Sequence, residues 1–159
     1  MNEQRRTKKK KRRNLGARVV VGLGNPGEKF AGTRHNVGFE VVDRLSATCD
    51  WKSSPHYDHS LVTIRSRIVH LIRPTTFMND SGLAVSAALD RFSCTLRDAL
   101  VLVDDIHLSV DGIRVRRSGS EGGHNGLRSI TASVESEDFA TIRLGVGEVP
   151  TGIIQMDYF

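Results

Sequence analysis

The sequence predicts an α/β fold, and three observations carry that reading. Short β-branched runs alternate with stretches of helical periodicity, glycine- and proline-bearing loops separate them, and 38% hydrophobic content in 159 residues fills one core. No internal repeat interrupts this alternation.

Each element follows from a local pattern. Residues 18–22, carrying Val19, Val20 and Val21, read as a buried strand. Residues 37–48 place Val37, Val41, Val42 and Leu45 on one helical face. Residues 53–59, which include Pro55, read as a loop. The runs 61–64 and 68–72 flank Arg65-Ser66-Arg67 and predict a hairpin, with Pro74 ending its second strand. Residues 81–91 are alanine-rich and helical, 99–103 form a buried strand, and 113–117 alternate apolar residues with arginine as a half-exposed strand does. A glycine-rich loop over 119–126 precedes a short helix at 127–136, and the last strand, 140–147, alternates Ile142, Leu144 and Val146.

The net charge of +5 is unevenly distributed. Of 23 basic and 18 acidic residues, the first sixteen positions hold eight and one, which leaves 15 basic and 17 acidic residues in the body. The basic pI therefore reflects a tail and is not in itself evidence that the folded body binds nucleic acid. In its simplest reading residues 1–16 are a disordered, solvated arm. Salt-dependent attraction to RNA phosphates stays open, as does targeting, although a lysine run with Glu3 lacks transit-peptide character. Cys49 and Cys94 show no C-x-x-C spacing, which fits a reducing compartment without a structural metal. No apolar run approaches the roughly 18 residues of a membrane span.

Gly22-Leu23-Gly24-Asn25-Pro26-Gly27 follows the first strand and satisfies G-x-G-x-x-G. A dinucleotide site is disfavoured there, because Pro26 removes a backbone donor from the loop that would cradle a diphosphate. Asp43 also falls within a helical pattern and not at the end of a second strand. Asn25 and the pair Asp104 and Asp105 instead stand at the carboxyl ends of two predicted strands, where α/β sheets bind ligands. Taken singly, Asn79 and Asn125 read more readily as helix caps, and Asp104 equally well as an ordinary loop carboxylate.

Together these residue types suit hydrolysis by water. No serine lies in G-x-S-x-G and no cysteine lies near a base candidate. His35 and His124 alone among six histidines sit in glycine-flanked loops, and a carboxylate beside a histidine orients its ring and stabilises the imidazolium. His56, His59, His70 and His107 read as structural or surface residues, with no metal-ligand spacing. Three amides in one crevice match the carbonyl and N–H groups of a peptide-like substrate.

The stretches Gly22-Leu23-Gly24-Asn25-Pro26-Gly27, Thr33-Arg34-His35-Asn36-Val37-Gly38, Thr75-Thr76-Phe77-Met78-Asn79, Val103-Asp104-Asp105, Gly122-Gly123-His124-Asn125-Gly126-Leu127 and Ile142-Arg143-Leu144-Gly145-Val146-Gly147 resemble the bacterial-type peptidyl-tRNA hydrolases. The resemblance runs from about Arg18 to Pro150. It implies a three-layer α/β/α sandwich with a mixed, mostly parallel central sheet, acting as a cytoplasmic monomer without metal or cofactor. The implied reaction cleaves the ester between peptide and tRNA 3′ ribose, returning tRNA to translation. His35 then matches the general base and Asp104 the acid that orients it. Asn25 and Asn79 match residues holding the peptide end and attacking water, and Asn125 one near the ester. Phe30 stands where a tyrosine is more usual, keeping packing but losing a hydroxyl. His124 is expected to meet the tRNA acceptor end, and Arg116 and Arg143 resemble a phosphate clamp, for which the arginine fork is suited. A solvated strand face is the ordinary alternative for Arg116.

The resemblance implies one catalytic domain over 17–159 after the basic arm, without the C-terminal helices usual in the family. Loss of that layer is expected to expose apolar surface and weaken stability. A non-catalytic RNA-binding relative is the alternative in which the fold persists while turnover is lost.

Overall fold

The computed structural model describes residues 18–47 and 49–153; the expected basic arm lies outside them. Among the described residues seven strands form one mixed sheet: β1 (Val19–Gly22), β2 (Lys52–Ser53), β3 (Tyr57–Ile64), β4 (Arg67–Pro74), β5 (Ala99–Asp105), β6 (Ile113–Arg116) and β7 (Ala140–Gly145). Their order is β2-β3-β4-β1-β5-β7-β6. The four central strands run parallel, and antiparallel pairings are confined to the edges, β2 with β3, β3 with β4 and β6 with β7.

Helix α1 (Val37–Leu45) covers one sheet face, and α2 (Ser81–Arg91) with α3 (Asn125–Val134) covers the other. The alternation of side chains along β1 divides the core between them. Val19 and Val21 join Ile72, Val85, Val101, Leu127 and Ile130 beneath α2 and α3, whereas Val20 joins Leu71, Leu102 and Val42 beneath α1. This is the expected three-layer sandwich. Each fully buried valine or leucine in it stabilises the fold by about 1.5–3 kcal/mol relative to exposure.

Several boundaries differ from the sequence reading for physical reasons. Residues 53–59 are not only loop: β2 pairs Lys52 with His59 and Ser53 with Asp58, and β3 begins at buried Tyr57. Polar residues on these strands conceal the alternation that marks a strand. The hairpin is real, but its turn is Arg65-Ser66, both at positive φ, which is the backbone geometry of a two-residue turn usually signalled by glycine. Helix α1 stops at Leu45, where Ser46 turns its hydroxyl back onto the Asp43 carbonyl at 3.0 Å. Helix α3 starts two residues earlier than its apolar pattern because His124 caps it. Strand β6 is exposed along its whole length, not half-buried, since it ends the sheet.

Gly22 explains the first half of its glycine motif. A side chain there would strike the Gly38 carbonyl of α1, so the glycines let the first helix lie directly against the first strand. The chain then leaves β1 for β4 on one side and returns to β5 on the other. Between β1 and β5 lies the switch point at which such sheets open a crevice.

Candidate active site

His35 lies in a short 3-10 turn, Arg34–Asn36, which delivers it from the β1 loop to the start of α1. Asp104 lies near the end of β5, on the other side of the switch point, and is 3% exposed. The two meet at 2.8 Å, His35 Nδ1 to Asp104 Oδ1. His124 Nε2 approaches the same Oδ1, also at 2.8 Å.

The hydrogen bonds around His124 set its tautomer. Its Nδ1 accepts the backbone N–H groups of Gly126 at 3.1 Å and Leu127 at 3.4 Å, so the ring proton resides on Nε2 and is donated to Asp104. An ionised carboxylate only accepts, so His35 donates through Nδ1 and carries its basic lone pair on Nε2. Burial pushes the Asp104 carboxyl up, but the hydrogen bonds from His124 and His35, with their charges, outweigh it and hold it below the usual carboxylate value.

Asn25 is fixed by three contacts. Its backbone N–H donates to Asn36 Oδ1 at 2.7 Å, its carbonyl accepts from Asn36 Nδ2 at 2.8 Å, and its own Oδ1 accepts the Met78 N–H at 2.7 Å. The last contact orients the amide so that Nδ2 remains as donor.

A cavity of about 690 Å³ has Asn25, Phe30, His35, Asp104, His124, Asn125 and Arg143 on its walls. Phe30 packs edge-on against exposed Phe77, ring centroids 6.4 Å apart. Asn125 opens α3 at the rim. Asn79 is exposed in the turn Met78–Asp80 and is not among the residues lining this cavity. Arg116 is exposed on β6 opposite Thr141 and also does not line it. Arg143 reaches the cavity but is 7% exposed, with Nη2 donating to the Ser120 and Glu121 carbonyls.

Sequence reasoning passed over Asn36 and Arg114 here, and missed the partner of Asp105. Asn36, 4% exposed, ties the Asn25 loop to α1; it stood beside His35 in a motif already noted. Asp105 faces Arg143 at 3.6 Å, a pairing across neighbouring strands that no local pattern reveals. Arg114 sits directly opposite Arg143 in register, closer to the carboxyl edge of the sheet than Arg116. The alternation Ile113-Arg114-Val115-Arg116 places both arginines on one face, and was its signal.

Comparison with known proteins gives a consistent answer. A family model described as peptidyl-tRNA hydrolase matches residues 19–158. Peptidyl-tRNA hydrolase of Thermotoga sp. (strain RQ2) is 43% identical over 140 residues, covering 88% of this chain and 75% of the relative. The Thermotoga maritima protein of the same name is 44% identical over 135 residues, covering 85% and 72%. Among solved structures, peptidyl-tRNA hydrolase from Acinetobacter baumannii superposes with a TM-score of 0.80 at 33% identity, covering 86% of this chain and 71% of that one. With both sequence and fold matched over most of its length, the chain belongs to the peptidyl-tRNA hydrolase family, a family of enzymes.

Proposed function

We propose that this protein hydrolyses the ester joining a peptide to the 3′-terminal ribose of tRNA, with His35 as general base and Asp104 as its orienting acid. The observation that carries the reading is the His35–Asp104 bond, 2.8 Å long and on the wall of the cavity at the switch point. His35 Nε2 takes a proton from water as the water oxygen bonds to the ester carbonyl carbon, and Asp104 stabilises the imidazolium that forms. As the bond from carbonyl carbon to ribose oxygen breaks, His35 returns the proton to that oxygen. Positioned general-base catalysis of this kind contributes on the order of 10² to 10⁴ in rate.

Asn25 Nδ2 donates to a carbonyl of the departing peptide, and Asn125, at the positive end of α3, to the ester oxygen as it gains charge. Asn79 guides the peptide at the outer edge, and Phe30 with Phe77 offers an aromatic wall. Arg116 meets tRNA phosphates from the exposed face of β6. In this reading the protein works as a cytoplasmic monomer that recycles tRNA for translation. Among the described residues no helix is long and apolar enough to cross a membrane.

Release of free peptide from an N-blocked peptidyl-tRNA tests the reading. His35→Ala abolishes release and Asp104→Asn strongly reduces it. A wild-type chain that binds tRNA yet releases no more peptide than His35→Ala overturns the hydrolase in favour of an RNA-binding relative.

A further inference from the structure

We infer that His107 is a substrate-binding residue, its imidazolium holding a backbone phosphate of the tRNA acceptor end beside the ester. This rests on the hydrolase reading of the site. From residue order His107 reads as a structural or surface histidine, but the structure sets it on the wall of the catalytic cavity. It is exposed, and its ring makes no hydrogen bond or ion pair among the described residues.

The order of the strands sets what this wall receives. Asn25 and Phe30 follow β1, on one side of β5, and form the end of the cavity assigned to the peptide. Ile106, His107, Gly122, Gly123 and Arg143 form the other end, and β7 and β6 lie on that side of β5 with Arg114 and Arg116. With the ester at His35 and Asp104, the ribose and its attached nucleotides leave towards this second end. A Cβ on Gly123 would meet nothing within 4 Å, so there is room here for a nucleotide backbone.

His107 is held by its backbone and not by its ring. Its N–H donates to Asp105 Oδ1 at 2.8 Å. The loop 106–112 crosses the carboxyl end of β7, where the Gly145 N–H donates to the Gly112 carbonyl at 2.8 Å, Val146 to Asp105 at 3.1 Å and Gly147 to Leu108 at 3.0 Å. A side chain on Gly145 would strike the Ser109 carbonyl, so loop and strand end are in direct contact. A ring on so fixed a backbone is pre-organised for a ligand.

The charged and titratable groups around it are mostly engaged. Asp104 accepts from His35 and His124, Asp105 Oδ2 faces Arg143 Nη1 at 3.6 Å, and Glu121 pairs with Arg128 at 3.0 Å. Asp111, on the same loop, and Arg114, opposite Arg143, are exposed. A protonated His107 ring adds a cation to the tRNA end of the cavity, with two N–H donors and no acceptor, which suits a phosphate.

Histidine changes charge between about pH 5 and pH 8, so pH switches this contact as it does not switch an arginine. The test measures the Kd of uncharged tRNA for the wild type, His107→Gln and His107→Arg at about pH 6 and about pH 8, over a range of salt. The wild type should bind roughly three- to tenfold more tightly than His107→Gln at the lower pH and equally at the higher. At the lower pH its salt slope should exceed that of His107→Gln by up to about one. His107→Arg, cationic throughout, should bind more tightly than the wild type at the higher pH. KM for an N-blocked peptidyl-tRNA follows the same order.

Equal affinities of the wild type and His107→Gln at both pH values overturn the inference. A deficit in His107→Gln of one size at both, with an unchanged salt slope, overturns it in favour of contact between the ring and a base. His107→Arg no tighter than the wild type at the higher pH also rejects it. Circular dichroism establishes that each variant is folded; should His107→Gln not fold, His107→Arg decides alone. Binding that follows the expected pattern in a wild type that releases no peptide counts against the hydrolase reading instead.

Discussion

His124 donates from Nε2 to Asp104 Oδ1 at 2.8 Å while its Nδ1 accepts two N–H groups at the start of α3. One ring thus serves as a helix cap and as a second donor to the carboxylate that orients His35. The two duties separate by substitution. His124→Asn keeps a strong capping side chain but is too short to hold Asp104, whereas His124→Ala loses both. We expect both to lower kcat by a similar factor of about ten, and only His124→Ala to lose a further ~1 kcal/mol of stability in denaturant unfolding. Equal stabilities would show that the cap contributes nothing.

Acid should act on the same carboxylate. The Asp104 carboxyl lies below its usual value in the folded protein, so it stabilises the fold above the unfolded carboxylate pKa near 3.9, and that contribution is lost as pH falls through the depressed folded value. Asp104→Asn should flatten the acid limb of stability, measured as thermal midpoint against pH. A variant as acid-sensitive as the wild type rejects this assignment.

The histidine pair His59 and His70 sets a second, higher window. Their rings approach at 3.2 Å from Nε2 to Nδ1; His70 stacks on Phe92 at 4.0 Å between centroids and His59 lies tilted against it at 4.6 Å. Burial lowers both pKa values, helped at His59 by His70, Lys52 and Arg91 and at His70 by Arg18. The unfolded chain takes up these protons near pH 6.5 while the fold resists them, so stability is full above that pH and declines below it. Denaturation midpoints compared at about pH 7.5 and about pH 5 should fall less in His59→Gln and His70→Gln than in the wild type. Wild-type sensitivity in both variants would remove the pair from the account.

Much of this was legible from residue order, because β1, β5 and α2 are short elements with undiluted patterns, and because His35, Asn25 and Asp104 stand beside glycines or strand ends. What stayed hidden depends on register. Nothing near Arg143 in the chain shows that the carbonyls of Ser120 and Glu121 lie within 3.2 Å, and nothing near Asn36 shows that it braces Asn25. The β2–β3 pairing escaped for a different reason: its residues Lys52, Ser53, Asp58 and His59 are polar, and strand patterns are read from apolar ones.

Close packing yields a prediction whose sign runs against propensity. Gly38 lies within α1, where alanine is ordinarily better by about 0.5–1 kcal/mol. Here a Cβ would stand 2.6 Å from the Leu102 carbonyl oxygen and from both Leu23 backbone nitrogen and oxygen, all main-chain atoms that cannot swing away. Gly38→Ala should therefore destabilise by roughly 1–3 kcal/mol or more, seen as a lowered denaturant midpoint. A gain in stability would mean that the helix and strand part without cost.

The basic face of β6 offers the clearest test of the proposed tRNA contact. Arg114 and Arg116 alternate with Ile113 and Val115, so both arginines leave the same face of an exposed edge strand. Register separates them: Arg114 lies opposite Arg143, whose side chain reaches the cavity, and Arg116 opposite Thr141, two residues farther from the carboxyl edge of the sheet. If phosphates follow this face towards the ester, each arginine that meets one contributes about one unit to the slope of log affinity against log salt. Arg114→Ala and Arg116→Ala should each raise KM and leave kcat unchanged, with the larger effect at Arg114, nearer the site. Their effects should also shrink as salt rises, since an exposed charge is screened over about 10 Å at 0.1 M. A KM insensitive to both substitutions at low salt would move the tRNA path away from β6.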